Sequence, residues 1–129
     1  MSDPLATVRA FYEAFNSGRL ADAAETLAED VRWSRPPDVP ITGTVEGRSG
    51  VERMWDAATA SLERFQIEPT ALSEHGDKVL ARITMRGEGR DGGASFEFAG
   101  AQVFTVENAE IAAVQEFRSL PEAEAALGG

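Results

Sequence analysis

The chain lacks cysteine altogether, and among its 129 residues it has one histidine, one tyrosine and a single lysine, Lys78. Without cysteine there is no disulfide, no thiolate metal site and no cysteine nucleophile. The lone histidine, His75, sits in the polar run Ser73-Glu74-His75-Gly76-Asp77. A serine triad would have to use it, and no Gly-x-Ser-x-Gly elbow is present. A metal site would have to be built from carboxylates, and no acidic run has the spacing of a calcium loop. No metal and no organic cofactor is therefore expected. Long apolar runs are missing too, so no segment reaches membrane-spanning length. The start, Met1-Ser2-Asp3-Pro4, has no basic segment followed by an apolar core, so a cytoplasmic protein is expected. Basic charge is also scarce, with 12 basic against 22 acidic residues and a net charge of −10. Phosphate binding needs a basic face, which argues against nucleic acid or an anionic membrane as partner.

What remains is the balance of an ordinary globular protein, 43% hydrophobic and 26% charged, and 129 residues make one domain. Ser2 or Asp3 can cap a helix over 4–16 with Pro4 in its first turn. Leu5, Val8, Phe11, Tyr12 and Phe15 give that helix one apolar face. A second helix over 20–28 follows, then a short strand Val31–Arg35. Pro36-Pro37-Asp38-Val39-Pro40 must be irregular. The capping box Ser49-Gly50-Val51-Glu52 opens a third helix over 50–64, with Val51, Met54 and Trp55 inward. From Phe65 the period changes to two. Strands are expected over 66–72 and 78–86, then a glycine-rich turn over 87–93. A hairpin from Ala94 to Arg118 turns at Glu107-Asn108-Ala109-Glu110. A short helix, Glu122–Leu127, ends the chain. Helices first and a meander of four antiparallel strands afterwards make an α+β protein, with helices on one face of a curved sheet.

Gly87-x-Gly89-x-x-Gly92 matches a dinucleotide fingerprint as a string. That mechanism needs a helix after the glycines, and here Phe96, Glu97 and Phe98 alternate as a strand. In the last strand Ala112, Val114, Glu116 and Arg118 share one face, and Ile111, Ala113, Gln115 and Phe117 share the other. Trp33, Arg35, Arg82, Gln102, Glu116 and Arg118 stand out as polar or amphipathic residues in strand-like segments. They are either structural ion pairs and strand-end residues, or the polar groups of one site.

The pattern Val8-Arg9-Ala10-Phe11-Tyr12-Glu13-Ala14-Phe15-Asn16-Ser17-Gly18 resembles the SnoaL-like family of the nuclear transport factor 2-like superfamily. So do Ala28-Glu29-Asp30-Val31-Arg32-Trp33, Gly47-Arg48-x-Gly50-Val51, and Val103-Phe104-Thr105-Val106 running through Ile111 to Glu116-Phe117. The resemblance covers essentially the whole chain, 1–129. It implies a cone-shaped, cystatin-like α+β barrel in which helices close a curved antiparallel sheet over an apolar pocket. The scaffold serves isomerases, cyclases, epoxide hydrolases, dehydratases and non-enzymatic binders alike.

By similarity to ketosteroid isomerases, the oxyanion-hole tyrosine would fall at Phe11, the aspartate base at Arg35 and the second acid at Gln102. None of these has the required chemistry. By similarity to limonene-epoxide hydrolases, the water-holding Tyr-x-Asn would fall on Trp33-x-Arg35. The Arg-x-Asp would fall on Arg82-x-Thr84 and the second aspartate on Glu116, so the acid at Thr84 is missing.

The resemblance implies a pocket with Glu116, Arg82, Arg35 and Gln102 as candidate catalytic groups. Phe11, Trp33, Met54, Phe98, Phe104 and Arg118 are its candidate substrate contacts. Two arginines in a pocket favour an apolar ligand with a carboxylate, enolate or polarised carbonyl. The expected function is a cofactor-free cyclase, isomerase or hydrolase-like enzyme, with a non-catalytic ligand-binding or partner-stabilising module as the alternative. On the strand Lys78–Arg86, Val79, Ala81, Ile83 and Met85 compete with Arg82 and Thr84 for the inward face. An outward patch of Ile111, Ala113, Gln115, Phe117 and Val103 would be apolar enough to expect a homodimer.

Overall fold

A computed structural model describes residues 3–35 and 43–128; the proline-rich run 36–40 lies outside the described residues. Helix α1 spans Pro4–Asn16 and is capped by Asp3, whose carboxylate accepts from the Leu5 amide at 3.0 Å. It buries Val8, Phe11, Tyr12, Ala14 and Phe15, the face its spacing predicts. Helix α2 is shorter than expected, Leu20–Glu25. Leu27, which falls within the helix expected over 20–28, instead opens strand β1, Leu27–Arg35. Strand β2 follows at Gly43–Glu46, and helix α3 spans Arg48–Thr59. Its N-cap is Gly47 at φ 83°, a left-handed conformation open to glycine at no steric cost. Ser49 lies inside the helix, so the capping box is not used.

The long strands are β3 Leu62–His75, β4 Lys78–Gly89, β5 Ser95–Glu107 and β6 Glu110–Phe117, and helix α4 spans Leu120–Gly128. They pair successively as antiparallel hairpins. Strand β4 runs through Gly87 and Gly89, leaving a three-residue turn at Arg90–Gly92 with a strand after it. No helix N-terminus stands there to hold a pyrophosphate. The ring of Phe96 lies over Gly87, where an added Cβ would come within 2.3 Å of it.

The sheet order is β2-β1-β6-β5-β4-β3, and β1 runs parallel to β6. The sheet is therefore mixed, where a wholly antiparallel one was expected, and it curves without closing into a barrel. The alternation of apolar residues fixes which face of a strand is buried but not which way its neighbour runs. Edge strand β3 tolerates Pro69 because one side of it needs no ladder partner. Asn16 ties α1 to this edge, donating to the Ile67 carbonyl at 2.9 Å and accepting from the Ile67 amide at 2.8 Å.

The concave face of the sheet carries the main core. Phe11 is fully buried and its ring centroid lies within 5.9 Å of those of Tyr12, Phe15, Trp33, Trp55 and Phe104. The opposite face carries a smaller core, in which α4 packs Ala123 against Leu80, Ala101 and Val103, with Phe117 and Leu120 beside them. Ile111 was expected on this outer face and is instead fully buried in the main core. Thr105 pairs with Ala113 and Val106 with Ile111, so Ala112 is an extra, bulged residue that reverses the alternation.

Candidate functional site

Glu116 and Gln102 are directly opposed on β6 and β5. Cross-strand neighbours place their Cβ atoms about 5 Å apart, close enough for side chains to bond. The Gln102 Nε2 donates to Glu116 Oε2 at 2.8 Å. Strand β1 sets Ser34 beside Gln115, which brings the next residue, Arg35, alongside Glu116. The Arg35 Nε donates to Glu116 Oε1 at 2.9 Å. From α1, the Tyr12 hydroxyl donates to Gln102 Oε1 at 2.6 Å. Four side chains thus form one chain, Tyr12 to Gln102 to Glu116, with Arg35 closing it.

The direction of each bond follows from the inventory of donors. Arginine can only donate, so Glu116 Oε1 accepts. Tyr12 on the Gln102 oxygen turns the amide nitrogen toward Glu116, so Oε2 accepts as well. Both carboxylate oxygens are held by donors in a site where the Glu116 side chain is 8% exposed and that of Arg35 is 18%. Gln102 is completely buried and is satisfied at both ends. The Tyr12 phenol is pushed well above its ordinary pKa, first by burial and then by the Glu116 charge. It remains a neutral donor.

Three cavities are lined by both Arg35 and Glu116; one of about 470 Å³ lies beside Ser34, Gln115 and Glu122, and the other two have mainly apolar walls. The outer of these two, about 320 Å³, is lined by Ile83, Met85, Phe98, Gly100, Glu116 and Arg118 among others. The inner chamber, about 30 Å³, lies among Trp33, Met54, Trp55, Phe65, Met85 and Glu116. Arg35, Met85 and Glu116 line both, so these side chains are the partition between them.

The structure brings Arg35, Gln102 and Glu116 together. Trp33 and Met54 line the inner chamber, while Phe98 and Arg118 line the outer cavity. Phe11 and Phe104 line neither; both are fully buried in the aromatic core. Arg82 is on the other face of the sheet. Val79, Ala81, Ile83 and Met85 take the inward positions of β4, and Arg82 lies exposed beside Leu80, Leu120 and Glu124. Burying four apolar side chains outweighs bringing one arginine inward, since an unpaired buried cation is costly.

Sequence reasoning assigned no site role to Tyr12, Trp55 or Met85. A tyrosine within an otherwise apolar helix face was the available signal, because a buried phenol usually finds a hydrogen-bond partner. Among the described residues no three histidine, aspartate or glutamate side chains are grouped to hold a metal ion. No described helix is long and apolar enough to cross a membrane.

The architecture is thus a curved sheet with helices over one face and an apolar cavity whose wall carries Arg35 and Glu116. The SnoaL-like domain matches residues 8–114, and the chain belongs to that family. No curated protein matches it. Among solved structures, a nuclear transport factor 2-like protein from Burkholderia thailandensis is similar at 24% identity and TM-score 0.83, over 98% of each chain. A candidate polyketide cyclase from Xanthomonas campestris is similar at 25% identity and TM-score 0.75, over 96% of each. A Catenulispora acidiphila protein with a ketosteroid isomerase-like fold, in complex with trimethylamine, is similar at 20% identity and TM-score 0.75, over 95% of this chain and 92% of that one.

Proposed function

We propose that this protein is a cofactor-free enzyme, of cyclase or isomerase type, in which Glu116 moves a proton on an apolar substrate bearing a carbonyl group. The observation that carries the reading is the placement of Glu116. Its carboxylate is nearly dry, fixed at both oxygens, and lies on the wall of an apolar cavity of about 320 Å³. A cavity of that size suits a small organic molecule. A positioned carboxylate beside a C–H next to a carbonyl can take its proton, and general acid–base help of this kind is worth about 10²–10⁴-fold. Arg35 and Gln102 hold the carboxylate in place, and the likeness to a candidate polyketide cyclase supports carbonyl chemistry.

The test is proton exchange. In D₂O, the wild-type protein should speed deuterium incorporation next to the carbonyl of 2-tetralone, read by NMR. Glu116→Gln should lose that acceleration while its thermal midpoint stays near that of wild type. Equal exchange in the variant and the wild type would overturn the role of Glu116. Binding without any exchange would favour the non-catalytic alternative.

The homodimer stands as part of the same proposal. Because α4 already packs over Val103 and Phe117, the contact would use the strip around Ser34, Ala113 and Gln115. Sedimentation velocity at micromolar concentration is its check, and a monomer there rejects it.

A further inference from the structure

A carboxyl group can meet an amide in two ways: ionised, it accepts from the amide N–H, and protonated, it donates to the amide oxygen. The end that a buried amide turns toward the acid therefore favours one form over the other. Gln102 is completely buried, with the Tyr12 hydroxyl at its Oε1, 2.6 Å, and Glu116 at its Nε2, 2.8 Å. Tyr12 is itself 2% exposed and lines none of the three cavities that Glu116 lines. With Glu116 ionised, each link of this chain has a donor facing an acceptor. A proton on Glu116 Oε2 would set two donors against each other unless Gln102 turned over. Turned over, its Nε2 would face the phenol oxygen, and the Tyr12 O–H would lose its acceptor. Protonation thus costs the chain one buried hydrogen bond. With phenylalanine at position 12 that difference disappears, because either orientation of Gln102 leaves one end of the amide unpaired.

We infer that Tyr12 is a positioning residue, which fixes the orientation of Gln102 and so keeps Glu116 in the ionised form, ready to take a proton from the substrate. The inference rests on the reading of Glu116 as the group that moves the proton, and it adds what sets the direction of the first transfer. In that step Glu116 takes a hydrogen from the carbon next to the carbonyl. The C–H electron pair passes into the enolate, and the proton stays on the carboxyl group until it is returned to carbon. The bond lost along the chain favours that return. Other charges near Glu116 do not replace this device. Arg35, from β1, favours the ionised form whichever way Gln102 points. Arg118 on the same strand and Glu122 from α4 share a cavity lining with Glu116, and both are exposed, where water screens them. The linings that α3, β3 and β4 contribute beside Glu116 hold no titratable group.

Carboxyl signals of ¹³C-labelled glutamate report protonation without any ligand, and the signal missing from Glu116→Gln identifies Glu116. Its titration midpoint in Tyr12→Phe should lie about one pH unit above that of wild type, the worth of one hydrogen bond. Gln102→Met removes the amide and should raise the midpoint as well. Adding Tyr12→Phe to Gln102→Met should then change nothing further, because the phenol acts only through the amide. In the exchange assay, the pH at which deuterium incorporation into 2-tetralone reaches half its plateau should rise with the carboxyl midpoint in Tyr12→Phe, while KM stays that of wild type. An unmoved carboxyl midpoint in Tyr12→Phe, or a further rise in the double variant, overturns the inference. A midpoint that rises while wild type shows no exchange at any pH sustains the hold of Tyr12 on the Glu116 charge and rejects the proton-transfer reading instead.

Discussion

Two arginine–carboxylate groups lie on opposite faces of one sheet. On the inner face Arg35 holds Glu116, with side chains 18% and 8% exposed. On the outer face Arg86 bonds Glu97 and Glu68, with side chains 48%, 62% and 50% exposed. By contact type the two are alike. What separates them is surroundings: the inner pair has apolar walls and an amide holding its second oxygen, and the outer group has water on every member. Charges in a drier medium interact several-fold more strongly, and the cost of removing one partner rises in proportion. A residue pair becomes a candidate site through its burial and shape, not through the pair itself.

The sharpest break in the comparison is made in the packing that keeps the inner face dry. Phe11→Ala empties the centre of the aromatic cluster and should cost about 3–5 kcal/mol in chemical denaturation. Phe98, 51% exposed on the outer cavity, is the control. Phe98→Ala should cost less than about 1 kcal/mol and act on ligand binding instead. A small loss for Phe11→Ala would show that the core does not support the site.

The next effect isolates the pair. Glu116→Ala leaves Arg35 in place without its partner. The cost should be about 2–3 kcal/mol, below the 3–5 of a fully buried pair because Arg35 reaches some water. Glu116→Gln should stay within about 1 kcal/mol of wild type. The new amide can donate to Gln102 Oε1 if Gln102 turns over, and the Tyr12 oxygen can then accept from Gln102 Nε2, so the chain of bonds reverses and only the Tyr12 O–H gives up its acceptor. Equal losses for the two variants would mean that the charge, and not the hydrogen-bonding, holds this end of the sheet together.

Tyr12 carries the pH dependence. Its folded pKa is raised, so the folded state holds the phenol proton more tightly than the unfolded chain does. The stability it contributes is complete below the ordinary tyrosine value of about 10 and is lost as pH rises beyond that, toward the folded pKa. Tyr12 is the only tyrosine, so phenolate absorbance reports on it alone. The absorbance should stay absent as pH passes 10 and appear together with unfolding. Tyr12→Phe should abolish that alkaline loss and cost about 1 kcal/mol at neutral pH by leaving Gln102 Oε1 without its donor. A titration at the ordinary pKa with the fold intact would contradict the buried chain.

The sequence carried the helix faces, the meander and the parity that puts Glu116 inward, because side-chain period is a local property. The parallel pairing of β1 with β6 was not legible, since strand direction depends on a partner some eighty residues away. Nor was the bulge at Ala112, which leaves no mark in an apolar run and sends Ile111 inward. Arg82 was placed by resemblance, against four apolar neighbours whose alternation pointed the other way. Tyr12 was seen as helix face only. Its partner Gln102 lies ninety residues on, and a phenol reaching it depends on how α1 crosses the sheet.

The smallest effect belongs to the outer group. Glu97 by its hydrogen bond, and Glu68 by its charge, raise the Arg86 pKa above the ordinary guanidinium value. Arginine is already charged at every accessible pH, so this shift produces no pH dependence of stability. The bonds themselves form between solvated groups that also lose side-chain freedom, and exposed pairs of this kind add little. Arg86→Ala should therefore leave the denaturation midpoint unchanged within error, at low and at high salt. Screening should matter as little, because water already does most of it. A clear loss at low salt that vanishes at high salt would show that the outer group acts as a network, and the contrast between the two faces would then be one of degree alone.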